Sequence, residues 1–316
     1  MLKNIEKYIK LKCVNLKNVE TIDSNIERGV SSEEFGNVWF LLPKGNAIFK
    51  TYANRFLNNV KDERFVNELL CCELAKMVGV DCAEHEVATK NGRVGILSYN
   101  ILRKDETLRT LAQVYLYNDL TLSDIYQGVK EDCEKRAITL DKDFAFDLYK
   151  MMVFDILTLQ QDRHASNIHI VHNEKFNFRK LSPLIDNEFA FCTKSLGFTK
   201  AKYEDFQNFL FTSMNDGYKT RMYNYLKIKR NESYEENLSR LVDYARIDKR
   251  RYDFLKNAIK NFDVDKAFDI IENKYSVFLP NYKKYVKNVS NIIKNELVKR
   301  INMVEKNTSK ENELTY

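Results

Sequence analysis

Near residue 105 the hydrophobic pattern of the chain changes period, and this switch limits the possible folds more than any single residue does. Before it, apolar runs are short and separated by turn signals. Residues 37–52 set two such runs around Pro43-Lys44-Gly45-Asn46, the pattern of a β-hairpin. Residues 82–102 repeat it, with Glu86-Val87-Ala88 and Val94-Gly95-Ile96-Leu97-Ser98-Tyr99 on either side of Asn91-Gly92. Between the hairpins, residues 62–78 carry Phe65, Leu69, Cys72 and Val66, Leu70, Met77 at helical spacing, with Gly79 as a stop. Residues 1–30 are weakly periodic. The pattern predicts a small antiparallel sheet with one key helix against it.

After the switch the spacing is helical. Residues 141–159 form an apolar-rich run containing Phe144, Leu148, Met151, Met152, Phe154 and Ile156, with Asp141 or Asp143 as the N-cap. A short hairpin interrupts the helices: Ile168 to His172 and Phe176 to Phe178 flank Asn173-Glu174-Lys175. Residues 200–306 read as helix throughout, and 303–316 as a polar, frayed end. Only 9 Gly and 3 Pro among 316 residues agree with long regular elements. The expected fold is α+β in two lobes. Residues 1–103 form a sheet-based N-terminal lobe, 104–302 a mostly helical C-terminal lobe and 303–316 a polar tail.

Several classes are excluded. No apolar run reaches the roughly 20 residues that span a bilayer. Met1-Leu2-Lys3-Asn4-Ile5-Glu6-Lys7 is not followed by the apolar core of a secretory signal. The six cysteines (Cys13, Cys71, Cys72, Cys82, Cys133, Cys192) form no C-x-x-C pair and read as reduced, buried thiols. A cytoplasmic location is expected, with export by a route lacking a cleavable signal left open. The net charge of +6 is modest, and Lys283-Lys284 and Lys299-Arg300 read as solvated helix faces. Nothing in this balance calls for nucleic acid as a partner.

Chemistry concentrates in Gln161-Asp162-Arg163-His164-Ala165-Ser166-Asn167 and Leu181-Ser182-Pro183-Leu184-Ile185-Asp186. Asp162 and Asn167 stand five positions apart after an apolar helix, and Asp186 follows an apolar strand. Two carboxylates and an amide oxygen so spaced can hold Mg²⁺ on a nucleotide and orient an attacking hydroxyl. Asp186 fits as the principal metal ligand. Asn167 fits as a second ligand that adds no negative charge beside phosphates. Asp162 fits as the residue that orients or deprotonates the acceptor. The competing reading makes Asp162 and Asn167 ordinary turn residues. His164 with His169 and His172 forms a weak zinc pattern, and a structural imidazole bonded to backbone or Asp186 is the simpler role. Asp155, inside an apolar helix, reads as a satisfied structural carboxylate or one near the site. Trp39 reads as core.

The two motifs resemble those of the HipA-like serine/threonine kinases, whose pattern is Asp-x-His-x-x-Asn followed by Thr/Ser-Pro-x-x-Asp. The chain's length is similar to that of the short, CtkA-type members. The Asp-Arg-His wording is also shared with phosphoinositide kinases. The resemblance covers residues about 25 to 290 and implies a protein-kinase-like fold using ATP and Mg²⁺, a protein Ser/Thr acceptor with autophosphorylation, and an antitoxin or host-protein partner. It places Lys50, in Ala47-Ile48-Phe49-Lys50, on the phosphates. It makes Glu68, in Asn67-Glu68-Leu69-Leu70, the partner of Lys50, where helical spacing alone leaves Glu68 and Glu73 equal. Ser31 and Ser32, in Gly29-Val30-Ser31-Ser32-Glu33-Glu34-Phe35-Gly36, are the phosphate-loop and self-phosphorylation candidates. By order along the chain, Tyr99 to Arg103 joins the lobes and offers backbone groups to adenine. The chain departs from the eukaryotic kinase pattern in two places. G-x-G-x-x-G is absent, and Asn187-Glu188-Phe189 follows Asp186. Glu188 is an extra metal ligand or, more simply, a salt-bridge partner. A lipid or small-molecule kinase, and a catalytically silent toxin–antitoxin-type binding protein, are the alternatives.

Overall fold

The computed structural model describes residues 14–17, 19, 21–22, 38–50, 61–90, 93–114, 122–160, 163, 165–192, 234–275 and 279–313. The first part of the chain forms strands β1 (Val14–Asn15), β2 (Thr21–Ile22), β3 (Val38–Phe40) and β4 (Ala47–Lys50), then helix α1 (Lys61–Val78), then β5 (His85–Lys90) and β6 (Arg93–Tyr99). These six strands make one sheet in the order β1-β5-β6-β4-β3-β2, antiparallel except for β1 beside β5. Both predicted hairpins are present. Helix α1 ends as its sequence dictates: Gly79 takes φ +79° and the Val80 N–H returns to the Ala75 carbonyl at 2.9 Å, a Schellman closure.

The second part contains β7 (Glu106–Thr110), α2 (Leu111–Val114), α3 (Leu122–Lys135), β8 (Thr139–Leu140), α4 (Phe144–Leu157), β9 (His169–Asn173) and β10 (Phe178–Leu181). Helices α5 (Tyr234–Arg246), α6 (Lys249–Asn261), α7 (Val264–Tyr275) and α8 (Pro280–Glu313) follow. A second sheet has the order β7-β9-β10-β8. Two expectations fail here. Residues 106–110 form a strand, because Thr107 and Thr110 suit a pleated surface and β9 offers a pairing edge. The terminal helix runs to Glu313 rather than fraying from 303. The expected cap of α4 is also refined. Asp143 occupies the cap position without a side-chain cap bond, and its carboxylate instead accepts from Arg250 at 2.6 Å.

The main core runs from α1 (Val66, Leu70, Leu74) through α4 (Leu148, Val153, Leu157) to Leu241, Leu255, Phe268, Val286 and Leu297 of the last helices. A smaller cluster, with Phe40, Ala47, Phe49, Ala88 and Leu97, covers the opposite face of the first sheet. Side chains alternate across a strand. Ile48 and Lys50 of β4 therefore face α1, and Ala47 and Phe49 face away. Among the described residues no helix is long and apolar enough to cross a membrane.

Candidate active site

Lys50 closes β4 and pairs in register with Ile96 of β6. The neighbouring Gly95 permits the close strand approach: a Cβ there would clash with the Lys50 carbonyl and lie 2.7 Å from the Phe49 ring. The Lys50 ammonium, on a side chain only 18% exposed, reaches Glu68 Oε1 at 3.5 Å and Asp186 Oδ1 at 2.5 Å. Glu73 instead pairs with Lys76 at 2.8 Å. Geometry thus settles the choice that helical spacing leaves open. Burial alone would lower the Lys50 pKa, but the Asp186 and Glu68 charges overcome it and hold the amine protonated.

Glu68 is fully buried and its Oε2 accepts the Asn187 N–H at 3.0 Å. The preceding Asn67 donates its amide to the carbonyls of Glu188 (2.9 Å) and Ala190 (3.0 Å), and Tyr282 of α8 donates its hydroxyl to the Asn67 carbonyl oxygen. The Asn67-Glu68 pair therefore fixes the segment after Asp186 to α1. Asp186 has φ +60°, a left-handed conformation that Asp tolerates better than most residues. Its carbonyl accepts from Gln160 at 3.4 Å. The Lys50 ammonium keeps its carboxyl below the usual range.

Arg163 is the residue that reading the motif for oxygen donors misses. Its buried guanidinium grips Asp155 of α4 (Nε to Oδ2, 3.1 Å), Asn187 Oδ1 (2.8 Å) and the carbonyls of Asn167 (3.2 Å) and Ile185 (2.9 Å). One planar group thus joins α4, the turn Ala165–Asn167 and the residue before Asp186. This brings Asn167 and Asp186 to the same place. Asp155 proves to be both a structural carboxylate and a neighbour of the site.

Tyr99 pairs with Ala47, at the far end of β4 from Lys50, and packs with the outer cluster. Its hydroxyl donates to Glu86 at 2.7 Å and its N–H to the Glu84 carbonyl at 3.0 Å. Strand parity therefore takes the Tyr99 side chain off the face that carries Lys50. Asp162, His164, Ser31 and Ser32 lie outside the described residues. His169 and His172 sit three apart on β9 and so point to opposite faces, which removes the zinc pattern. His169 is held neutral, its pKa lowered to about 4 by burial despite Asp186 nearby.

The donor set is all oxygen. Asp186 and Asn167 with phosphate and water would suit Mg²⁺ better than a softer ion. Glu188 lies 4.0 Å from Arg64. Burial, then the charges of Asp186 and Glu68, push its carboxyl up to about 7. Folding therefore takes up a proton between about pH 4.5 and 7, and stability falls as pH rises through that window. Glu188→Gln should match the wild type near pH 4.5 and be more stable by about 3 kcal/mol at pH 8. Urea unfolding in chelated, metal-free buffer at both pH values checks this, and equal stability at pH 8 counts against it.

No protein-family model matches the chain, and no curated protein does. The solved structure of the proinflammatory kinase CtkA from Helicobacter pylori matches with 12% identity over 94% of this chain and 99% of that one, TM-score 0.65. The chain therefore has the two-lobed, kinase-like fold. A chain from the Shewanella oneidensis toxin–antitoxin complex of HipA, HipB and operator DNA also matches, with 14% identity over 81% of this chain and 57% of that one, TM-score 0.46.

Proposed function

We propose that the chain is a HipA-like kinase of the CtkA type, transferring the γ-phosphoryl group of ATP to serine or threonine of a protein, itself included. One observation carries this reading. A single ammonium, Lys50, pairs at once with Glu68 of α1 and with Asp186, drawing together three distant segments. Phosphoryl transfer needs phosphates held, charge neutralised and the acceptor placed in line, and little covalent work from the protein.

Glu68 keeps Lys50 extended toward the phosphates. Asp186 and Asn167 would hold the metal, which when bound would neutralise charge on the transferred group. Asp162 accepts the hydroxyl's proton. Arg163 and Asn67 act at one remove, fixing the backbones that carry Asn167 and Asp186. A cytoplasmic site of action and a protein partner, whether antitoxin or host protein, belong to the same reading.

The test is incubation of the purified protein with Mg²⁺ and γ-labelled ATP, alone, with a generic basic protein and with lipid vesicles. Label in phosphoserine or phosphothreonine is expected, and Asp162→Asn should lower the rate by about 10²-fold or more. Label in lipid alone would move the acceptor to the phosphoinositide-type alternative. ATP binding without turnover would favour the silent binding protein. Mapping the autophosphorylated residue tests Ser31 and Ser32.

A further inference from the structure

Helix α1 carries Cys72 one turn beyond Glu68, on the same face. Facing it are Cys82, bridged to Leu184, and His85, the first residue of β5, whose carbonyl accepts from Tyr275 at 3.1 Å. The two sulfurs and an imidazole nitrogen all lie within 4.8 Å of one another. Among the described residues this is the one group of three such side chains so close together. Cys72 and His85 are 2% and 4% exposed. Neither ring nitrogen of His85 finds a hydrogen-bond partner among the described residues. A buried imidazole with both nitrogens unsatisfied is costly unless something fills the gap.

We propose that Cys72, Cys82 and His85 form a zinc site that pins α1 to the segment entering β5. Zn–S distances of about 2.3 Å and Zn–N of about 2.0–2.1 Å put neighbouring ligand atoms of a tetrahedron within about 4 Å of each other. The observed triangle, with every edge within 4.8 Å, is close to that size. Two thiolates and an imidazole favour zinc over magnesium or calcium. On binding, both thiols release their protons to solvent. Asn187 supports the site from outside, its Nδ2 donating toward Cys82 Sγ at 3.6 Å. Glu68 Oε2 stands 3.7 Å from His85 Nε2. The carboxylate that pairs with Lys50 therefore also faces the ligating imidazole, as outer-shell carboxylates do. The site is independent of the phosphoryl-transfer reading, and its test uses no activity.

The full-length protein, produced with zinc under reductant and desalted, should carry one zinc per chain by mass spectrometry. X-ray absorption should show two sulfurs at about 2.3 Å and at least one nitrogen at about 2.0–2.1 Å. Chelator should lower Tm by roughly 5 °C. Cys72→Ser and Cys82→Ser should each reduce bound zinc at least about tenfold. Cys133→Ser, at a buried thiol that instead receives Arg179 Nη1 at 3.7 Å, should keep it. Should the variants fail to fold, the absorption spectrum of the wild type still decides. Zinc below about a tenth per chain, or an ion without sulfur ligands, overturns the proposal. So does a Cys72–Cys82 disulfide in the reduced preparation.

Discussion

Arg163→Ala is expected to destabilise the protein by about 3–5 kcal/mol. The guanidinium is 1% exposed and so is Asp155, the carboxylate it grips. Truncation leaves that carboxylate buried without its partner and removes donors from Asn187 Oδ1 and from the carbonyls of Asn167 and Ile185. Burial already pushes the Asp155 carboxyl upward, with the arginine opposing it. In the variant the opposition is gone, so Asp155 takes up a proton on folding. The loss should therefore shrink as pH falls toward about 4, where the unfolded carboxyl is also protonated. Urea unfolding at pH 7.5 and 4 measures both effects. Asp155→Asn/Arg163→Ala should recover part of the loss, because the orphaned charge is removed while the carbonyls stay undonated. A loss below about 1 kcal/mol at pH 7.5 would show that the hub is ornamental.

Asp186→Asn should lower phosphoryl transfer by about 10³-fold or more while leaving the fold intact, equivalent to about 4 kcal/mol of transition-state stabilisation. The choice of asparagine follows from the backbone. At φ +60° an alanine would be strained, whereas Asn adopts this conformation readily. Lys50 keeps Glu68 as its partner in the variant. The substitution thus isolates one carboxylate charge at the metal position. Rates across a Mg²⁺ titration, with thermal melting alongside, make the check. An activity within tenfold of wild type, at unchanged Tm, would remove Asp186 from its assigned role.

Most of the first sheet was legible because its signals are local. Pro43 to Asn46 and Asn91-Gly92 announce their hairpins, and Gly79 announces the end of α1. Strand β7 was not legible, since Glu106-Thr107-Leu108-Arg109-Thr110 gains its pairing from β9, more than fifty residues downstream. In the site, the residue types of Asp186 and Asn167 advertise metal chemistry, and Lys50 and Glu68 entered only through the family resemblance. Arg163, Asn67 and Asn187 act through hydrogen bonds to backbone carbonyls and buried side chains. That work leaves no spacing to read. For Tyr99, order along the chain reached only its backbone, and strand parity is what sends its side chain to the outer face of the sheet.

The bond from Tyr282 to Asn67 spans 215 positions of sequence, and Tyr285 reaches the Phe191 carbonyl across another 94. During translation, Lys50, Glu68 and Asp186 all leave the ribosome long before these two tyrosines do. The nascent chain therefore carries every charged residue of the described site while the clamp on α1 is still unmade. Contacts of such long range form late and slowly. A product that terminates before α8 would hold the right residues without the latch from Tyr282 to Asn67 that ties α8 to α1.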